Sequence, residues 1–199
     1  NYLSYELGQP THCFDKSKLN GQISFESKKC DGPFATLLDT NIKLKGDNCV
    51  FLDNNEVISL AGVMGGKSTA CSKDTKKVLI ECAYFNPESI IGKSIQYNLH
   101  SDAAHKFERG VDINSHEMVL RRFIKIVEQH AKVKSCKIAT FDSKVISNKE
   151  LPVNLDKVNA ILGTTISSDV FKNILEKLGF NITSKIEVPS YRSDIMSQN

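Results

Sequence analysis

The sequence predicts an α+β protein, with mixed and antiparallel sheets and packed helices in a first domain and a smaller α/β unit after it. Three observations carry this. Residues 22–63 fall into short apolar runs separated by Asp- and Asn-rich turns, the pattern of antiparallel hairpins. Residues 114–131 carry the best helical periodicity in the chain. Beyond the polar break Ser147-Asn148-Lys149-Glu150, two capped helices precede short strands. That break sets the expected domains at 1–148 and 149–199.

Composition narrows the class. The chain has 199 residues, 40% hydrophobic and 25% charged, as ordinary globular proteins have. No run approaches ~18 apolar residues, so no membrane-spanning helix is expected. The chain opens on Asn1 rather than Met and closes on a polar run, and it reads as a piece of a longer protein. Its six cysteines lie far apart with no CxxC pair, which disfavours zinc and suits reduced thiols in the cytoplasm. Net charge is +3, yet from Leu151 onward five Lys and Arg balance five Asp and Glu. The excess belongs to the first 150 residues, where it permits contact with nucleic-acid phosphates without demanding it.

Taken in order, residues 2–7 read as a helix end stopped by Gly8 and Pro10. His12 and Phe14 share one side of a short extended piece, and Asp15 caps a turn after it. His12 cannot serve as a base for Cys13, because adjacent residues of a strand point to opposite faces. Strands are expected at 22–27, 35–38, 42–44, 49–52 and 57–63, with hairpin turns at Asp39-Thr40-Asn41 and Asp53-Asn54-Asn55. Residues 61–68, Ala-Gly-Val-Met-Gly-Gly-Lys-Ser, fit a relaxed phosphate-loop pattern that holds only if a helix opens there. Otherwise Gly62, Gly65 and Gly66 allow close backbone approach or make a plain turn.

Residues 80–85 then form a run that is apolar except at Glu81, expected as a strand buried on both faces. A carboxylate there is either paired structurally or reads a donor on a ligand. Asn86-Pro87-Glu88 opens a helix expected to reach Asn98, with Ile91 and Ile95 stacked on one face. Residues 99–110 form a polar loop in which Glu108 and Arg109 are expected as an ion pair. The helix over 114–131 should bury Leu120, Ile124, Val127 and Ala131, and a strand is expected at 137–141. In the tail, Asn154 and Ser167 cap helices closed by Gly163 and Gly179, followed by a small ribbon. Two helices with such a ribbon resemble a winged-helix unit.

In combination the motifs resemble one family. They are Gly8-Gln9-Pro10-Thr11-His12-Cys13-Phe14-Asp15, the glycine-rich run ending at Gly66, Glu81-Cys82-Ala83-Tyr84-Phe85, and Ser101 through Gly110. With the tail they look like the beta subunit of bacterial phenylalanine–tRNA ligase, over nearly the whole chain. The resemblance implies a tRNA-editing domain in which tyrosine wrongly esterified to phenylalanine tRNA is hydrolysed. An alternative within the same family is a scaffold or tRNA-docking module that has lost editing. The resemblance also implies an alpha subunit as partner, in a heterotetramer of two alpha and two beta chains. ATP and magnesium belong to a synthetic site elsewhere, and no cofactor is expected in these residues.

Site residues carry over one at a time from this resemblance. Glu81 matches the residue that accepts the tyrosine phenol hydrogen bond. His12 matches a histidine beside the scissile ester, orienting water or the terminal ribose. Gly62 and Gly65 match glycines lining the amino-acid pocket, and Ser101 and Ala103 match small residues that keep it open. Asn1 matches an asparagine near the substrate. Asn98, Ala104 and Lys106 depart from the glycine, serine and arginine common there.

Overall fold

The computed structural model describes residues 1–141 and 148–196, and the chain divides into two compact units, Asn1–Lys132 and Val133–Asn199. The architecture is α+β with antiparallel sheets, the class expected from the sequence. Among the described residues, no helix is long and apolar enough to cross a membrane.

The first unit opens with helix α1 (Tyr2–Leu7), which ends on Gly8 at φ 73°. Strand β1 (His12–Asp15) leads into a 3-10 turn at Lys16–Lys18, where the Asp15 carboxylate accepts from the Ser17 N–H. Then come β2 (Ile23–Lys29), β3 (Gly32–Ala35), β4 (Asn41–Leu44), β5 (Asp47–Asp53), β6 (Glu56–Leu60), β7 (Met64–Gly65) and β8 (Val78–Glu81). A four-stranded antiparallel sheet has the order β2-β5-β6-β7, and β3 pairs with β4. Asn54 and Asn55 turn the β5–β6 hairpin at φ 47° and 69°, the paired positive φ that a tight hairpin demands.

Strand β8 corrects the expectation for the Glu81 run. Among the described residues it pairs only with β1, and Val78 and Leu79 stay exposed. The apolar run is thus half of a two-stranded ribbon, and its burial begins past the strand at Phe85. The segment leaving β7 ties the sheets together, because Gly66 bridges Thr36 and Ala70 bridges Phe14. No helix follows residues 61–68, which form a turn and the short β7. The phosphate-loop reading therefore fails, since no helix N-terminus is present to hold an anion.

The expected helix over 86–98 is two short ones, α2 (Pro87–Ile90) and α3 (Lys93–Tyr97), separated by Gly92 at φ 80°. The break rotates the apolar stripe. Ile90 and Tyr97 are buried, whereas Ile91 and Ile95 are exposed. The expected polar loop contains helix α4 (Asp102–Phe107), capped by Ser101. Arg109 donates to the His105 carbonyl at 3.0 Å, and among the described residues Glu108 and Arg109 form no ion pair. Helix α5 (His116–Glu128) is shorter than expected and buries Val119, while Ala131 lies beyond it, exposed. Arg122 grips Glu6 through two hydrogen bonds of 2.6 and 2.9 Å, fastening α5 to α1.

The second unit lacks the strand expected at 137–141, which is irregular and exposed. It holds β9 (Lys149–Leu151), α6 (Leu155–Leu162), α7 (Ser168–Lys177), β10 (Asn181–Ile182) and β11 (Ile186–Val188). The caps fall at Asn154 and Ser167, and Gly163 and Gly179 turn left-handed past the helices. The ribbon is three-stranded, in the order β10-β11-β9. The sequence missed β9 because three residues within a polar break carry no periodicity.

Candidate active site

The β1–β8 register sets His12 directly across from Glu81. Partners in an antiparallel pair share a face, with Cα atoms roughly 5 Å apart. Residues far apart in the chain thus present an imidazole and a carboxyl side by side.

The imidazole is held on two sides. The Phe14 ring meets it edge-on with centroids 4.4 Å apart. On another side lies the Gly65 backbone, so close that a Cβ built there would sit 2.3 Å from His12 Cε1. Burial pushes the His12 pKa down, so the imidazole is neutral near pH 7 and free to accept a proton.

Glu81 keeps part of its surface open to solvent. Among the described residues its carboxyl has no hydrogen bond or salt bridge, which removes the structural pairing weighed above. The protein packed around it pushes its pKa up to about 8. Such a group gains from a donor brought by a ligand. Cys13 faces the other way, and burial, then Cys71 and Glu81, push its thiol up to about 11. A protonated thiol is a poor nucleophile, so Cys13 does not supply one.

A chain of rings fixes the floor of the site. From Phe14 it passes to Phe51 at 6.2 Å, to Phe85 at 6.2 Å, and to Phe107 of α4 at 4.9 Å. Edge contacts of this kind favour defined angles and resist sliding. Helix α4 also carries Ser101 and Ala103. The Ser101 hydroxyl donates to the Val63 carbonyl at 2.7 Å and accepts from the Ala104 N–H at 3.1 Å. One hydroxyl therefore caps α4 and fastens it between Gly62 and Gly65. Ser101→Ala removes both bonds, at a cost of about 1–2 kcal/mol. The expected result is a Tm lower by roughly 3–8 °C, restored by Ser101→Thr, read by thermal melting. An unchanged Tm would show that the fastening is dispensable.

The glycines separate by role. Gly62 has φ 72°, and a Cβ there would press on Phe85 and Ile90 at 3.0 Å, both core residues. Gly66 would meet the Ile58 carbonyl oxygen at 2.6 Å. Only Gly65 faces His12. Ala103 packs half-buried on the core. Asn1 lines a cleft with Thr11 and Phe123. Asn98 adopts φ 51°, the left-handed conformation open to glycine and next to asparagine, so its departure from glycine is accommodated.

The sequence reading missed Gln9. It is 1% exposed, and its side-chain amide donates to the carbonyls of Pro10 at 3.1 Å and Ala83 at 2.9 Å. It links the entry to β1 with the exit from β8. Its position between Gly8 and Pro10 was the available signal, since a long polar side chain inside a turn has backbone groups within reach. Among the described residues, no group of three or more His, Cys, Asp or Glu is placed to hold a metal ion.

Residues 1–132 match the family described as "B3/4 domain", and the chain belongs to it. Residues 151–199 match a "tRNA synthetase B5 domain". Both agree with the resemblance drawn from the motifs. Among curated proteins the chain is 32% identical over 203 residues to the phenylalanine–tRNA ligase beta subunit of Pectobacterium atrosepticum, covering 98% of this chain and 25% of that protein. It is 33% identical over 204 residues to the same subunit of Francisella tularensis, covering 98% and 26%. The chain therefore spans about a quarter of the length of these relatives. A solved N-terminal fragment of the phenylalanyl-tRNA synthetase beta subunit from Pyrococcus horikoshii shares 17% identity at a TM-score of 0.43, over 94% of this chain and 55% of that one.

Proposed function

We propose that residues 1 to about 148 are the editing domain of a phenylalanine–tRNA ligase beta subunit and hydrolyse tyrosine esterified to phenylalanine tRNA. The observation that carries this reading is the His12–Glu81 pair, a neutral imidazole across from an unpartnered carboxyl. A synthetic pocket shaped for phenylalanine rejects an isostere with one more hydroxyl by only ~100-fold. A second site that demands the hydroxyl supplies the remaining discrimination.

The chemistry follows from the pair. Glu81 holds the phenol, which sets the ester beside His12. Water, oriented by the His12 imidazole, attacks the ester carbonyl carbon. The carbon–oxygen bond to the ribose breaks, and the ribose oxygen takes up the proton that water lost. The products are tyrosine and a free tRNA 3′ end. Gly65 and Ala103 leave room for the amino acid, and the family resemblance sets Asn1 near the substrate. The parent is read as a cytoplasmic enzyme of two alpha and two beta chains. ATP and magnesium serve its synthetic site, outside these residues, and no step here runs through them.

The test is deacylation of preformed tyrosyl- and phenylalanyl-tRNA by the parent two-subunit enzyme, wild type beside His12→Ala. Wild type is expected to release tyrosine selectively, and His12→Ala to lower the rate by roughly 100-fold without unfolding the domain. Wild-type enzyme that hydrolyses neither ester would overturn the reading and favour a scaffold.

A further inference from the structure

The β1–β8 ribbon is asymmetric in charge. Beyond the His12–Glu81 end lie Gln9, Pro10 and Thr11 on one strand and Cys82, Ala83 and Tyr84 on the other, all uncharged. At the opposite end the pairing continues past Asp15 and Val78, because the Lys16 N–H donates to the Lys77 carbonyl at 2.9 Å. Lys16 and Lys77 are therefore opposed. Counting in twos from Glu81 places Lys77 on the Glu81 face. Lys73 and Lys76 stand just before Lys77 in the chain, and all four lysines are exposed.

Some other cations of the first unit are paired, whereas exposed ones such as Lys29, Lys43 and Lys45 share the uncommitted state without lying on the β1–β8 ribbon. Lys67 pairs with Asp39, Lys28 with Glu26, Arg121 with Glu117 and Arg122 with Glu6. Among the described residues, Lys16, Lys73, Lys76 and Lys77 make no salt bridge and no side-chain hydrogen bond. Lys18 donates to the Ala70 carbonyl at 2.6 Å. The nearby Asp15 carboxylate is occupied by Ser17 and Thr75, which leaves Asp74 as the nearest opposing charge in sequence.

We propose that Lys16 and Lys77, supported by Lys73 and Lys76, bind phosphates of the single-stranded RNA 3′ end whose terminal ester enters the His12–Glu81 site. This rests on the editing reading above. An ester in the site hangs from the last ribose, so the upstream phosphates must leave along the surface. The uncharged end of the ribbon offers them no cation. The lysine end does, four residues from the pair, or about 13 Å at ~3.3 Å per residue. That span suits phosphates a few nucleotides upstream of the ester. Uncommitted lysines give sequence-independent attraction, which is appropriate for a strand recognised by position.

The experiment is single-turnover deacylation of tyrosyl-tRNA by the parent two-subunit enzyme, with enzyme concentration and salt varied. Lys16→Gln/Lys77→Gln is expected to raise the half-saturating enzyme concentration about fivefold or more, with the saturated rate and the tyrosine-over-phenylalanine preference held within about twofold. The slope of log affinity against log salt should fall by about 1.4, the loss of two phosphate contacts on a single strand. Lys43→Gln, which removes one charge on the separate β3–β4 pair, should leave all of these unchanged. Unchanged half-saturation and salt slope in the double variant, beside an active wild type, would overturn the inference and leave the editing reading standing. So would a fall in the saturated rate alone, or loss of subunit association in place of RNA affinity. Wild-type enzyme inactive on both esters would fail the editing reading first.

Discussion

Above about pH 8, where Glu81 is ionised, Glu81→Gln in the parent enzyme should lower the preference for tyrosyl over phenylalanyl ester by roughly 10- to 100-fold, the worth of one charge-assisted hydrogen bond. Among the described residues the carboxyl has no partner, and burial pushes its pKa up to about 8. A phenol satisfies it; a phenyl ring leaves it enclosed without a donor. The mutation acts on the ratio of kcat/KM values, because His12 and the water are untouched. The pH dependence has a definite sign. Below about 8 the carboxyl is neutral and holds a phenol through an ordinary hydrogen bond. Above it the carboxylate accepts through a bond about twice as strong. The wild-type ratio should therefore rise with pH and level off above about 8, and in Glu81→Gln it should be flat. Stability moves in the opposite direction. The folded carboxyl holds its proton up to about 8, whereas the unfolded one loses it near 4.5. Folding takes up a proton between those values, so stability falls as pH rises through that window. Glu81→Gln should melt higher than wild type at pH 8 and alike at pH 4, with a gap of at most a few kcal/mol. A ratio unchanged by the mutation in a folded enzyme would remove Glu81 from substrate recognition.

What could be read from the sequence follows how local each signal is. The cap at Asn86, the stop at Gly8 and the closures at Gly163 and Gly179 are decided within a few residues, and each stands where it was read. The strand positions were mostly legible for the same reason. Burial was not, because it depends on partners far along the chain. The run at Glu81 is apolar enough for a central strand, yet β8 has one neighbour and an exposed side. Ile91 and Ile95 were read as one stripe of a single helix, and the left-handed turn at Gly92 separated them. The site itself was legible in its residues and silent in its arrangement. The lone carboxylate in an apolar run flagged Glu81. Nothing local could reveal that His12 is its cross-strand partner, or that Gln9 links the two strands. The three glycines could not be told apart either, since what each one faces is a tertiary fact.

That difference among glycines leads to the second large effect. Gly65→Ala should lower hydrolysis of both esters by roughly 100-fold while the tyrosine preference survives. A Cβ at Gly65 would lie 2.3 Å from His12 Cε1, 2.7 Å from Nε2 and 2.7 Å from Leu37 Cδ1. The ring has little room to yield, because Phe14 meets it edge-on at 4.4 Å and is itself 1% exposed. The imidazole must swing from its place, and a displacement near 1 Å costs about two orders of magnitude when a proton acceptor has to meet water beside an ester. The three atoms nearest that Cβ belong to His12 and Leu37, not Glu81, so selection for the phenol persists. Gly66→Ala provides the contrast. Its Cβ would strike the Ile58 carbonyl oxygen at 2.6 Å, a backbone group in the four-stranded sheet, and overpacking there costs stability of about 1–3 kcal/mol. The two neighbours should thus separate the chemistry from the fold, with Gly65→Ala losing far more rate than any fall in its melting temperature accounts for, and Gly66→Ala lower in melting temperature. Rapid deacylation by Gly65→Ala would mean that the imidazole at this position does not take part in the reaction, and His12 would lose its assignment.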